Sequence, residues 1–191
     1  MAWIVENRRT AKVEKPQTPY LTEALKKHLT EKYFPRYPTK QAVTLPALHA
    51  IQHEYGWIPQ EALAEVAEFL NLSAAEVMDT ATFYEEYWLK PKGQYLFQVC
   101  RSLACEICGS KKLTEHLQKK FGVDLGETSA DGRFTLIELE CLGSCGTAPV
   151  MLVNDVLYEN VTCESLDQLI AQLPKDPHDF KDPTVGWETE H

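Results

Sequence analysis

The chain has 191 residues, of which 44% are hydrophobic and 25% charged, with a formal net charge of −9. That is a globular balance, with room for one domain or two small ones. So acidic a chain lacks the clustered Lys and Arg that phosphate contacts need, which excludes nucleic acid as the expected partner.

The first seventeen residues hold no apolar run of signal-peptide length, and Glu6 and Glu14 break the acid-poor pattern of a transit peptide. No stretch approaches the roughly 18 apolar residues of a membrane span. The expectation is a cytoplasmic chain without direct membrane insertion, its residues 1–17 forming an N-terminal extension.

Thr18 followed by Pro19 predicts a helix start, a hydroxyl cap before a proline whose missing N–H costs nothing there. Leu21, Leu25 and Leu29 then mark one apolar stripe. Pro35 and Pro38 end that element. A second helix is predicted over about 43–55, with Leu45, Leu48 and Ile51 on one face, broken at Gly56-Trp57-Ile58-Pro59. A third follows Pro59, with Leu63, Val66 and Leu70 inward. A fourth opens on Ser73-Ala74-Ala75-Glu76, the pattern of a capping box. His49 and His53 lie on these amphipathic helices and read as surface or packing residues. Trp57, Tyr84, Tyr87 and Trp88 read equally as packing aromatics and as interface anchors. The expected helical domain spans 18–90.

Pro91-Lys92-Gly93 is a boundary signal, and the pattern then changes. Tyr95–Val99 reads as a strand running into Cys100. Leu113, Leu117 and Phe121 mark a helix. Phe134–Leu139 reads as a second strand running into Cys141. Val150–Val153 and Val156–Tyr158 flank Asn154-Asp155 as a hairpin. Leu166, Leu169, Ile170 and Leu173 mark a last helix, stopped by Pro174. The expected second domain is an α/β layer over 91–174, which makes the fold class α+β. Residues 175–191 read as an extended acidic tail.

Cysteine is absent from residues 1–99, and all six cysteines fall between 100 and 163. Clustered cysteines without a signal peptide point to metal binding or redox chemistry. Two pairs, Cys100-x4-Cys105 and Cys141-x3-Cys145, each follow a predicted strand. Four thiolates converging from two loops suit a [2Fe–2S] cluster. Gly109, Gly143 and Gly146 would let backbone N–H groups approach its sulfurs. Spacing alone leaves rivals open. Buried free cysteines would cover Cys108 and Cys163. A structural zinc site would make the chain an interaction module. Cys105-x2-Cys108 fits a redox dithiol, and Cys100-x4-Cys105-x2-Cys108 has plant-type ferredoxin spacing. The plant-type reading is disfavoured by a helix starting near Ser110 and by the separate Cys141/Cys145 pair.

Cys100-Arg-Ser-Leu-Ala-Cys105, with Gly109 beyond it, resembles the first cluster loop of the thioredoxin-like [2Fe–2S] ferredoxin family. Glu140-Cys141-Leu142-Gly143-Ser144-Cys145, followed by Gly146-Thr147-Ala148-Pro149, resembles the second. Gly56-Trp57-Ile58-Pro59 and Ala81-Thr82-Phe83-Tyr84 are similar to signatures of the helical region of the 24-kDa subunits of NADH:quinone oxidoreductase, respiratory complex I. Gly146-Thr147 departs from the valine-asparagine expected there, and Cys108 is an addition.

The resemblance implies a helical bundle followed by a thioredoxin-like domain, with Cys100, Cys105, Cys141 and Cys145 as cluster ligands. It implies one-electron transfer beside an NADH- and FMN-binding flavoprotein subunit, within a larger respiratory or soluble redox complex that could bring the chain peripherally to the inner membrane. An equivalent subunit of an NAD-linked hydrogenase or formate dehydrogenase shares the same pattern. No Gly-x-Gly-x-x-Gly and no P-loop is present, so no nucleotide or substrate site and no catalytic residue is expected on this chain.

Overall fold

A computed structural model describes residues 18–175. The extension expected over 1–17, and the expected tail beyond Lys175, lie outside the described residues. The chain divides into two compact units between Pro91 and Lys92.

The first unit holds α1 (Glu23–Lys32), α2 (Thr44–Tyr55), α3 (Gln60–Leu70) and α4 (Ala74–Phe83). The helix expected at Thr18-Pro19 starts later: Thr22 caps α1, its hydroxyl accepting from Leu25 N–H at 3.3 Å. The preceding residues are held elsewhere. Leu21 N–H donates to the Glu65 carboxylate at 2.7 Å, and Tyr55 Oη–H donates to the Tyr20 carbonyl at 3.2 Å. Tertiary contacts to α2 and α3 thus outweigh the local start signal. Pro59 caps α3, and the capping box of Ser73 and Glu76 opens α4. Leu29, Leu48, Ile51, Leu63, Val66 and Val77 form the core of this unit. Tyr87 and Trp88 are buried to 2% exposure and are packing residues, whereas Phe83 is 77% and Tyr84 45% exposed. His49 and His53 lie on the exposed side of α2.

The second unit is built on a four-stranded sheet in the order β2-β1-β3-β4, from β1 (Tyr95–Cys100), β2 (Phe134–Leu139), β3 (Met151–Val153) and β4 (Val156–Tyr158). Two helices precede β2, the short α5 (Leu103–Ile107) and then α6 (Ser110–Phe121), and α7 (Cys163–Gln172) closes the unit. Parallel neighbours need a crossover, and α6 supplies it. β1 runs parallel to β2 in a register from Tyr95 opposite Phe134 to Cys100 opposite Leu139. β1 runs antiparallel to β3. Tyr95, Phe97, Leu136, Met151 and Val153 pack with Leu113 and Leu117 of α6 and Leu166 of α7. Asn154 turns the β3–β4 hairpin in the left-handed region, at φ 50°. The sequence pattern did not reveal α5, because five residues are too few to show a helical period. Among the described residues, no helix is long and apolar enough to cross a membrane.

Candidate metal centre

Parallel pairing ends β1 and β2 at the same edge of the sheet, so the two cysteine loops leave side by side. The loop starts are tied in place. Cys100 N–H donates to the Val150 carbonyl at 3.1 Å, and Arg101 N–H to the Leu139 carbonyl at 2.9 Å. The guanidinium of Arg101, directly after Cys100, pairs with the carboxylate of Glu140, directly before Cys141, at 2.5 Å. Opposite charges directly beside the first cysteine of each pair, Arg101 after Cys100 and Glu140 before Cys141, are a signal in the sequence that spacing alone does not capture.

The four cysteines stand as two pairs. Cys100 and Cys105 are buried and pack with Val150. Cys141 and Cys145 are exposed, their sulfurs 3.5 Å apart. Gly143 N–H donates to Cys141 Sγ at 3.4 Å. Burial alone would raise the pKa of Cys100. Hydrogen bonds from the N–H groups of Ser102 and Leu142 and from the Cys105 thiol outweigh it, and hold Cys100 below the ordinary cysteine range. Burial pushes Cys105 up to about 11, with Cys100 and Cys145 adding to the rise against the N–H of Val150. Cys145 is raised by its contact with Cys141 and by the charge of Cys100. The two pairs therefore feel each other across the loops. Thiolates this close repel, and cations between them remove that repulsion.

Cys108 sits exposed at the C-terminal end of α5. Cys163 opens α7 and packs against the core of the second unit. No disulfide joins any of the six cysteines. Among the described residues, no three His, Cys, Asp or Glu side chains gather around one point as ligands of a single metal ion would. A two-iron cluster takes two thiolates per iron, and two pairs are the donor arrangement it uses.

Residues 30–174 match the family described as thioredoxin-like [2Fe-2S] ferredoxin. The chain belongs to this family. Its cofactor is accordingly a [2Fe–2S] cluster. The donor chemistry fits: four soft sulfur donors are available, with backbone N–H groups of Ser102, Leu142, Gly143 and Val150 directed at them. The fold, a bundle of helices followed by a small mixed sheet with helices, agrees with the thioredoxin-like expectation.

This ferredoxin-family chain is 40% identical over 151 residues to NADH-quinone oxidoreductase subunit 2 of Thermus thermophilus, covering 78% of this chain and 83% of that protein. It is 41% identical over 138 residues to a subunit of the NADH-quinone oxidoreductase of Rhizobium meliloti, covering 72% of this chain and 82% of that one. Among solved structures, it resembles an NAD+-reducing [NiFe]-hydrogenase in the H2-reduced state. The TM-score is 0.59 and the identity 26%, over 67% of this chain. The match spans only 22% of that hydrogenase chain.

Proposed function

We propose that Cys100, Cys105, Cys141 and Cys145 are the cluster ligands and that this chain passes single electrons as a subunit of an NADH-oxidising assembly, beside an FMN flavoprotein subunit that binds NADH. The observation that carries the ligand set is the parallel register of β1 and β2, which brings both cysteine pairs to one sheet edge. The relatives named as NADH-quinone oxidoreductase subunits support the assembly. When bound, a [2Fe–2S] cluster accepts and releases one electron at a time, which suits it to a flavin that takes electrons in pairs and releases them singly. Ser102, Leu142, Gly143 and Val150 offer N–H groups to the thiolates, and the Arg101–Glu140 pair holds the two loop starts together. Residues 18–90 then form the helical domain and 91–174 the cluster domain. The chain would reach the membrane only peripherally, through the complex.

Serine in place of any of the four cysteines is expected to abolish or distort the cluster, because a harder oxygen replaces a thiolate. Cys108→Ser and Cys163→Ser are expected to leave normal iron and sulfide counts and an unchanged EPR signal on reduction. Loss of the cluster in Cys108→Ser with retention in Cys141→Ser would replace this ligand set by the plant-type one.

The likeness to the NAD+-reducing hydrogenase favours a second reading, the equivalent subunit of a soluble NAD-linked hydrogenase. Affinity purification of the tagged chain from its own cell separates the two. Co-purified membrane-embedded quinone-reducing subunits support the first, and a nickel-containing partner the second.

A further inference from the structure

The turn that carries Cys145 is anchored by a carboxylate from the far side of the hairpin. Glu159 Oε1 accepts from the hydroxyl of Ser144 and, at 2.5 Å, from the hydroxyl of Thr147. The two hydroxyl oxygens are 2.8 Å apart. Ser144 directly precedes Cys145, and Thr147 ends the 3₁₀ turn that Cys145 begins. Backbone bonds continue the seam: Asn160 N–H donates to the Thr147 carbonyl at 2.8 Å, and Val161 N–H to the Pro149 carbonyl at 3.0 Å. The segment 144–149 is thus stitched to 159–161 by one carboxylate and two backbone rungs.

Each hydroxyl has a single proton to give, and Glu159 Oε1 is the shortest acceptor for both, shorter than the 2.8 Å between the hydroxyls and the 3.2 Å from Thr147 to the Ser144 carbonyl. A charged acceptor strengthens that arrangement: hydrogen bonds to a carboxylate are about twice as strong as neutral ones. The two hydroxyls in turn hold Glu159 below the ordinary carboxylate range. A carboxylate needed only to close the hairpin would be redundant, because the backbone rungs at Asn160 and Val161 already close it. What Glu159 adds is control of the two residues that flank Cys145.

We propose that Glu159 is a positioning residue for Cys145: through Ser144 and Thr147 it fixes the turn that presents the Cys145 sulfur, and it keeps a negative charge beside the cluster site. The inference rests on the ligand set proposed above. Ligands whose supporting hydrogen bonds are lost typically weaken metal binding about 10–100-fold. A nearby negative charge opposes adding an electron to the cluster, so its removal raises the reduction potential.

The test uses the full chain carrying its cluster. Wild type is compared with Glu159→Ala, Glu159→Gln, the double variant Ser144→Ala/Thr147→Ala, and Asp167→Asn. The last removes a helix–helix ion pair remote in sequence from the turn and serves as a stability control. Cluster loss to an iron chelator is followed by visible absorption, and the reduced cluster by EPR and by potentiometric titration. Glu159→Ala and the double variant are expected to lose the cluster at least about tenfold faster than wild type, with altered g values. Glu159→Gln keeps an acceptor oxygen and loses the charge, so it is expected to shift the midpoint potential upward. Wild-type rates and g values in Glu159→Ala overturn the proposal. So does cluster loss no faster than in Asp167→Asn at equal melting temperature. If Glu159→Ala fails to fold, an unshifted potential in Glu159→Gln overturns it. A normal cluster in Cys145→Ser sinks the ligand set itself, and the proposal with it.

Discussion

Gly143 donates its backbone N–H to Cys141 Sγ at 3.4 Å from the left-handed region, at φ 83°. A side chain there would meet nothing within 4 Å, so space is not the constraint. The backbone conformation is: an L-residue in that region costs about 1–2 kcal/mol. Gly143→Ala is therefore expected to relax the loop out of this conformation, withdraw the N–H from the sulfur and loosen the cluster. Iron and sulfide content after gel filtration should fall below wild type while the far-ultraviolet circular dichroism stays the same. Full cluster content with unchanged EPR would show that the loop tolerates the change.

Gly93 answers to space instead. A Cβ at this position would lie 2.9 Å from the backbone carbonyl carbon and nitrogen of Phe134, and Gly93 N–H donates to the Thr135 hydroxyl at 2.6 Å. Backbone atoms of β2 cannot swing aside as a side-chain tip can. Overpacking of this kind costs about 1–3 kcal/mol. Gly93→Ala should lower the unfolding free energy of the second unit by that amount, read by circular dichroism in urea. An unchanged midpoint would mean that the β1–β2 pairing yields without cost.

These two glycines show how far the sequence could be read. Helix ends written in side chains were legible: Ser73 and Glu76 announced their capping box, and Pro59 the start of α3. Both strands that run into cysteine were legible from their apolar runs, and with them the two cysteine pairs. The start of α1 was not, because the Thr18-Pro19 signal is local while Glu65 and Tyr55, which hold the preceding residues, come from other helices. Nor were the N–H donors of Leu142 and Val150, since every residue but proline carries that group and only the fold directs it. The link from Glu159 to Ser144 and Thr147 spans more than ten residues of chain, which no local pattern reports.

The buried amide of Gln52 joins α2 to the segment after α4. Its oxygen accepts from Trp88 N–H at 2.7 Å, and its nitrogen donates to the Glu86 carbonyl at 2.8 Å. Trp88 O in turn accepts from Ile58 N–H at 2.7 Å. Gln52→Leu keeps much of the volume and leaves Trp88 N–H buried without its acceptor, at a cost of about 1–3 kcal/mol. Thermal unfolding of the first unit should shift down accordingly. Gln52→Glu restores an acceptor for Trp88 but places its other oxygen against the Glu86 carbonyl, so it should rescue little. Full rescue would assign the loss to the Trp88 acceptor alone and leave the contact with the Glu86 carbonyl without weight.

Asp167 on α7 holds one face of α6 through two residues a turn apart: His116 Nε2 lies 2.8 Å and Lys120 Nζ 2.5 Å from Asp167 Oδ1. The hydrogen bond from Lys120, then that from His116, holds the Asp167 carboxyl below its ordinary value near 3.8. The sign follows from linkage. A carboxyl with a lower pKa in the folded chain releases its proton more readily there than in the unfolded chain. Its contribution is therefore fully present above the ordinary value and is lost as pH falls through the depressed one. All three groups are partly solvent-exposed, so the effect is small and screened by salt. Wild type should melt above Asp167→Asn at neutral pH, and the gap should shrink with added salt. Below the carboxylate range the two curves should merge, since both chains then carry a neutral group at 167. A gap that persists at low pH would mean that residue 167 acts through packing and not through its charge.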